Sequence, residues 1–231
     1  MKKIVTLFIC LTCIVINKIN AQKEVIEYHL DEDAKTIYWG YYLGLNKKDF
    51  KINYKDTNTF VEVAPSYGFN VGLIGGWNFH KNLSLRIEPG LSSNTKVLAF
   101  TNISGGERDS IRKVGATYLH FPLLLKLQTN RLGNTRPYVI GGVSYDYNFS
   151  SNENNPDDNS SGEFRMKSNN FGYEIGLGVD IYLPYFIFSP SIRGTFAINN
   201  ELVPDNDPNS QWTGQIDYLG TRGVFINLAF H

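Results

Sequence analysis

Cysteine is almost absent from this sequence, which holds only Cys10 and Cys13 among its 231 residues. Both lie in an apolar stretch at 4–16 that follows two lysines. A short apolar run after a basic start is typical of a secretory signal peptide, so we predict a signal at 1–21 with cleavage after Ala21. The exported chain would then contain no cysteine, which excludes disulfides, thiolate metal sites and thiol nucleophiles.

An excess of either charge is also missing. The chain has 22 Lys+Arg and 22 Asp+Glu, a formal net charge of zero, and this balance argues against a nucleic-acid partner. No apolar run reaches the roughly 20 residues that a membrane-spanning helix needs. A hydrophobic content of 42% with 19% charged residues excludes a disordered chain as well as a bundle of transmembrane helices.

Glycine and aromatic residues are plentiful, with 21 Gly, 14 Tyr and 15 Phe. This composition favours strands and tight turns over helices. Alternation of apolar and polar residues with a period of two recurs along the chain and indicates β-strands. The eight strands that it predicts lie at 37–46, 68–78, 83–92, 118–127, 138–147, 171–183, 186–198 and 224–231.

The connections between these strands decide between a soluble sandwich and a barrel in lipid. Short connections at 80–82, 128–136 and 184–185 alternate with long polar ones at 47–66, 102–113, 150–170 and 199–217. This alternation is typical of outer-membrane barrels, which have short periplasmic turns and long extracellular loops. We therefore predict an all-β fold, an eight-stranded antiparallel up-and-down transmembrane β-barrel at 37–231, preceded by a periplasmic segment at 22–36.

Charged residues recur on one face of the predicted strands. A charge on the lipid face costs roughly 2–4 kcal/mol near the bilayer centre, so the charged face must line the lumen. The short turn between the sixth and seventh strands places Arg193 diagonal to Glu174, which predicts an interior ion pair. An eight-stranded barrel has room only for its own side chains, so we expect a filled lumen rather than a pore. The predicted structural network of the lumen consists of Arg86, Glu88, His120, Lys126, Glu174, Asp180 and Arg193.

Catalytic motifs are lacking: no nucleophile elbow, zinc-protease motif or phosphate loop follows a suitable strand. Among the candidate bases His29, His80, His120 and His231, we single out His120 because it faces the lumen. It could act with a serine, but a hydrogen-bonded place in the interior network is the favoured interpretation. The acidic run at 152–159 lacks the spacing of a calcium loop and is interpreted as a flexible outer loop. We predict no catalytic residue, no metal and no cofactor.

Several longer strings carry a family resemblance. They are GYYLGLN at 40–46, YLHFPLLLK at 118–126, RPYVIGG at 136–142 and YEIGLGVDIY at 173–182. Together they resemble the PorT family of Bacteroidetes outer-membrane proteins. The resemblance implies a non-catalytic component of the type IX secretion system, which exports proteins with C-terminal sorting domains and supports gliding motility in some relatives. It also implies outer-membrane lipid and other secretion components as partners.

Two other functional classes stay open. A small barrel could act as an adhesin or membrane tether through its outer loops alone. A lipid-modifying barrel enzyme would need a His-Ser or His-Asp pair near a membrane edge, and the sequence offers only scattered candidates. Neither a nucleic acid nor a small-molecule substrate is indicated.

Overall fold

The computed structural model describes residues 28, 35–55, 61–101, 103 and 106–231. The predicted signal peptide and most of the segment at 22–36 lie outside these residues. Over these residues the fold consists of antiparallel strands with one short helix, α1 (Glu107–Ser110), and one 3-10 turn (Asn159–Ser161). The ten strands are β1 (Ile37–Tyr54), β2 (Val61–Ala64), β3 (Ser66–His80), β4 (Leu83–Ile87), β5 (Gly90–Phe100), β6 (Ile111–Gln128), β7 (Thr135–Asn148), β8 (Asn169–Tyr182), β9 (Ile187–Ala197) and β10 (Ile216–Phe230).

The strands close into a ring of eight positions. Strands in adjacent positions of the ring pair antiparallel, and β1 pairs with both β3 and β10, so the ring has no open seam there. Strands β4 and β5 share one position, separated by Glu88 and Pro89, while the short β2 pairs with β5 and continues the position of β3 towards Val61. The predicted eight-stranded antiparallel barrel is therefore confirmed. Within the described residues, no helix is long and apolar enough to cross a membrane.

The outer face of the ring is apolar over most of its height. Trp39 is 73% exposed, Leu73 64% and Leu177 61%, and their neighbours on the same face are also large and apolar. Such a continuous exposed apolar surface is unfavourable in water but suits the hydrocarbon core of a bilayer. The barrel is thus turned inside out relative to a soluble protein.

At the end of the barrel that carries the longer connections, called the loop end here, the strands continue beyond their predicted limits. β1, β6 and β10 extend into segments that were predicted as loops at 47–66, 102–113 and 199–217. Here the pattern inverts, because Phe50 points inward while Lys51 is exposed. The barrel therefore rises past the apolar belt as a water-facing extension with an apolar interior.

That interior is a hydrophobic cluster, the loop-end core. Strand residues such as Leu98 and Val114 pack there with Phe164, Met166 and Leu202 from the long connections. An isolated bridge joins Met166 to Leu202. The connections at the loop end thus fold over the barrel mouth and close it.

Candidate functional site

The middle of the lumen is filled by a network of charged side chains. Glu88 lies between two guanidinium groups, contacting Arg86 Nε and Arg193 Nη2. Arg193 Nη1 also lies 3.3 Å from Glu174 Oε2, so the predicted ion pair is present. All four side chains are buried. Because each charge faces an opposite one, the network can remain ionised away from water.

His120 extends this network towards the loop end. Its Nδ1 lies 2.6 Å from Asp146 Oδ1 and its Nε2 lies 2.8 Å from Glu174 Oε1. Both ring nitrogens can donate to carboxylates only in the imidazolium form. No lone pair then remains on the ring to accept a proton, so this geometry suits a structural link rather than a general base.

A second charged pair fills the lumen near the short turns, at the end of the barrel called the turn end here. Lys126 Nζ lies 2.6 Å from Asp180 Oδ2 and 4.2 Å from the centre of the Tyr138 ring. Ser189 Oγ contacts Asp180 and lies 3.0 Å from His231 Nε2. In a catalytic triad the histidine stands between the serine and the carboxylate, whereas here the serine stands between the other two. The seven predicted lumen residues are therefore all buried, and they form two groups.

Two glycines give this interior the space that it needs. A Cβ on Gly176 would overlap Arg193, and one on Gly72 would overlap the ring of Tyr42 and the backbone of the neighbouring strand. Arg193 reaches across the lumen because Gly176, its cross-strand partner, presents no side chain. The inward glycines therefore make room for long polar side chains.

Above the charged network lies a layer of asparagines. Asn94 Nδ2 donates to Asn46 Oδ1 over 3.0 Å, and Asn46 Nδ2 donates to Phe69 O over 3.0 Å. Asn70 contacts Asn227 from the opposite side of β1. The predicted lumen network did not include these residues, although the alternation in the predicted strands places Asn46, Asn70 and Asn227 on the same face as the predicted charges.

Two buried lysines were also missed. Lys48 Nζ lies 4.4 Å from the centre of the Tyr118 ring, and Lys96 Nζ lies 3.9 Å from the centre of the Phe50 ring. Lys96 also donates to Thr221 Oγ1 over 3.2 Å. Both lysines lie beyond the predicted ends of their strands, and Lys48 falls in the predicted loop at 47–66. The cavity beside Lys48 holds about 20 Å³, roughly enough for one water molecule.

Polar contacts order the connections at the loop end. Arg112 donates from Nη2 to Asn159 O over 2.8 Å, and Asn159 Nδ2 donates to Asp205 Oδ1 over 2.9 Å. Hydrogen bonds from the Ser160 hydroxyl and from the N–H groups of Asn206 and Ser160 hold the pKa of the Asp158 carboxyl below its usual value. The segment at 152–159, which we interpret as a flexible outer loop, thus makes specific polar contacts with a second connection.

A buried carboxyl links the loop end to the strands. Glu201 accepts hydrogen bonds from Thr221 N over 3.0 Å and Thr221 Oγ1 over 2.7 Å. Burial raises the pKa of this carboxyl, and the charge of Lys96 opposes that effect. Among the described residues, no group of three or more histidine, cysteine or acidic side chains could hold a metal ion.

The barrel and its filled lumen can now be compared with known proteins. A family model described as "Outer membrane protein beta-barrel domain" matches residues 20–203. The chain belongs to this family. Together with the apolar outer face, membership identifies it as an outer-membrane β-barrel protein. No curated protein matches the chain.

Several solved structures are similar to this chain. Matches cover 84% of it and 93% of OprG from Pseudomonas aeruginosa, with 16% identity and a TM-score of 0.46. The match to Neisserial surface protein A covers 84% of this chain and 98% of that protein, with 6% identity and a TM-score of 0.45. The match to Ail of Yersinia pestis, solved in complex with the heparin analogue sucrose octasulfate, covers 83% of this chain and 96% of that protein. Its identity is 9% and its TM-score is 0.38.

Proposed function

We propose that this protein is a non-catalytic outer-membrane component of the type IX secretion system, supporting export of proteins with C-terminal sorting domains. The resemblance to the PorT family carries the assignment to this system. It rests on strings in four strands of the ring, including RPYVIGG in β7 and YEIGLGVDIY in β8. In relatives that glide, the same role extends to surface motility.

The observation that best supports this kind of role is the contact between Glu88 and Arg193 across the lumen. The pair of Lys126 and Asp180 fills the lumen towards the turn end, and the loop-end core fills it at the other end. Together with the contact of Glu88 and Arg193, they leave no passage through the lumen for a folded protein. Such a barrel would support export through its surfaces, by contacting other components of the secretion apparatus and outer-membrane lipid.

The orientation follows from barrel topology. Outer-membrane barrels place their short turns in the periplasm and their longer connections outside. The connections at 81–82, 129–134 and 183–186 would therefore face the periplasm, and the loop end would face the cell exterior. Tyr28 N donates to Asn134 Oδ1 over 3.0 Å at the turn end, which is consistent with a periplasmic N-terminal segment.

Gene deletion in the native host tests this function. We expect loss of sorting-domain proteins from the medium and their accumulation in the periplasm, with restoration by a plasmid copy of the wild-type gene. Normal export in the deletion strain would refute the proposal. A strain that exports normally but loses attachment to surfaces would instead support the adhesin alternative.

A further inference from the structure

Strand β6 has an uncovered edge at the loop end. Its residues from Ile111 to Thr117 pair with β5 on one side, but β7 pairs only from Asn148 opposite Tyr118. After Ser150 the chain turns away, so the place that β7 would occupy next to 111–115 is left open. An open strand edge presents N–H and C=O groups that can pair with another strand.

The hydrogen bonds of Thr117 show which backbone groups face this opening. Thr117 O accepts from Phe149 N over 2.8 Å, and Thr117 N donates to Ser150 Oγ over 3.1 Å. Residues two apart in a strand point the same way, so Lys113 and Gly115 direct their N–H and C=O groups into the opening. Within the described part of the chain, these four groups have no hydrogen-bond partner.

A cleft of about 500 Å³ runs along this edge. One wall is β6 from Ile111 to Gly115, and the other is formed by Asn152 and by 161–164, with Met166. A Cβ at Gly115 or at Gly162 would meet nothing within 4 Å, so the space beside both glycines is open. The cleft therefore offers open space beside β6 in which an extended chain could lie.

We propose that this edge binds an extended segment of a partner protein as an added β-strand, antiparallel to β6. The direction follows from β7, whose course the segment would continue. The residue opposite Gly115 and the residue opposite Lys113 would each exchange two backbone hydrogen bonds with β6. The proposal does not depend on the role in export.

Side chains along the edge define the chemistry of the segment. Lys113 is exposed on the outer face, so an acidic side chain fits opposite it. Gly115 leaves its outer face bare, which suits a bulky aromatic residue. The residue between them points inward, where Phe164 and Met166 line the cleft, and should be apolar. From its N-terminal to its C-terminal end, the bound segment should therefore contain an aromatic, an apolar and an acidic residue in succession.

The probe is a fluorescein-labelled peptide, Ser-Thr-Phe-Val-Asp-Thr-Ser, whose binding to the purified exported chain in detergent micelles is measured by fluorescence polarisation. Methylating the backbone nitrogen of the peptide's Asp removes a predicted bond to Lys113. Methylating that of Val touches a nitrogen that points away from β6. We expect the first change to weaken binding by about tenfold or more and the second to have less effect.

Two variants of Gly115 form a matched pair on the protein side. Gly115→Pro removes an N–H that faces the cleft and not the ladder with β5, whereas Gly115→Ala keeps it. We expect loss of peptide binding in the first and retention in the second, with both variants keeping the heat-dependent gel shift of a folded barrel. The two methylated peptides test the same pairing on the unaltered protein, so a folding defect of the proline variant would not decide the result.

Three outcomes would overturn this proposal. They are no saturable binding of the peptide, equal binding of the two methylated peptides, or equal binding by folded Gly115→Pro and Gly115→Ala. Pairing of the β6 edges of two copies of the chain would also overturn it. Such pairing would appear as a disulfide-linked dimer of the Lys113→Cys variant in the absence of peptide binding.

Discussion

Glu88 and Arg193 meet across the full width of the barrel. Glu88 stands between β4 and β5, and Arg193 belongs to β9, which occupies the opposite position in the ring. A contact between opposite walls is possible only where the lumen is narrow and filled. This pair therefore ties the ring together at mid-height.

Replacing Arg193 by methionine should destabilise the barrel strongly. The change leaves Glu88 and Glu174 buried with less compensation, and removing one partner of a buried ion pair costs about 3–5 kcal/mol. Urea unfolding in lipid vesicles measures the loss. The control is Arg222→Met, which breaks an exposed pair with Asp49 and should cost no more than about 1 kcal/mol. Equal effects of the two substitutions would contradict the role of the network.

An arginine at Leu73 tests whether the apolar outer face lies in lipid. Leu73 is near the middle of β3 on the outer face, where an arginine should cost roughly 2–4 kcal/mol. Tyr67 is on the same face near the loop end, and Tyr67→Arg should cost at most about 1 kcal/mol. Folding yields into vesicles across a urea series compare the two variants. A smaller loss of folding yield for Leu73→Arg than for Tyr67→Arg would show that the lipid-facing region of the barrel does not include Leu73.

Truncation of Met166 to alanine should loosen the loop end and leave the membrane-embedded ring intact. Met166 is buried in the loop-end core, and such a deletion costs about 2–5 kcal/mol. Hydrogen exchange should rise at 150–168 and 199–215, while β7 and β8 stay protected. Leu132→Ala is the control because Leu132 is 66% exposed. Unchanged exchange in the methionine variant would show that the core does not hold these connections.

Acid should release the contact between the two connections at the loop end. The Asp158 carboxyl has a lowered pKa in the folded protein because it accepts hydrogen bonds from Ser160 and Asn206. Its contribution is fully present above the usual aspartate value of 3.8 and is lost as pH falls through the lower folded value. Proteolysis by pepsin across this range should cleave 152–159 at a higher pH in Asp158→Asn than in the wild type. Identical profiles would mean that this carboxylate holds nothing in place.

The ring itself could be predicted from sequence because alternation and the choice of short or long connections both depend on local residues. The lumen network could be predicted as well, since charge is costly on a lipid face. The loop end could not, because the alternation inverts where the strands leave the membrane. There Lys51 turns outward and Phe50 inward, and a search for apolar outer faces ends the strand too early.

Contacts between segments far apart in the sequence also could not be predicted from local patterns. The place of Asn159 depends on Arg112 from β6 and Asp205 from another connection, and no local pattern links these residues. A polar segment therefore resembled a flexible loop. The unpaired edge of β6 was hidden for the same reason, because it depends on where β7 ends.

Conductance across a planar lipid bilayer tests most directly whether the lumen is closed. The purified chain, inserted from detergent and verified as folded by its gel shift, should give no stable current steps, while a general porin inserted in the same way shows them. The contacts of Glu88 with Arg193 and of Lys126 with Asp180, together with the loop-end core, predict this absence of conductance. Reproducible open-channel steps from the wild-type protein would contradict the filled lumen and the proposed non-conducting role in export.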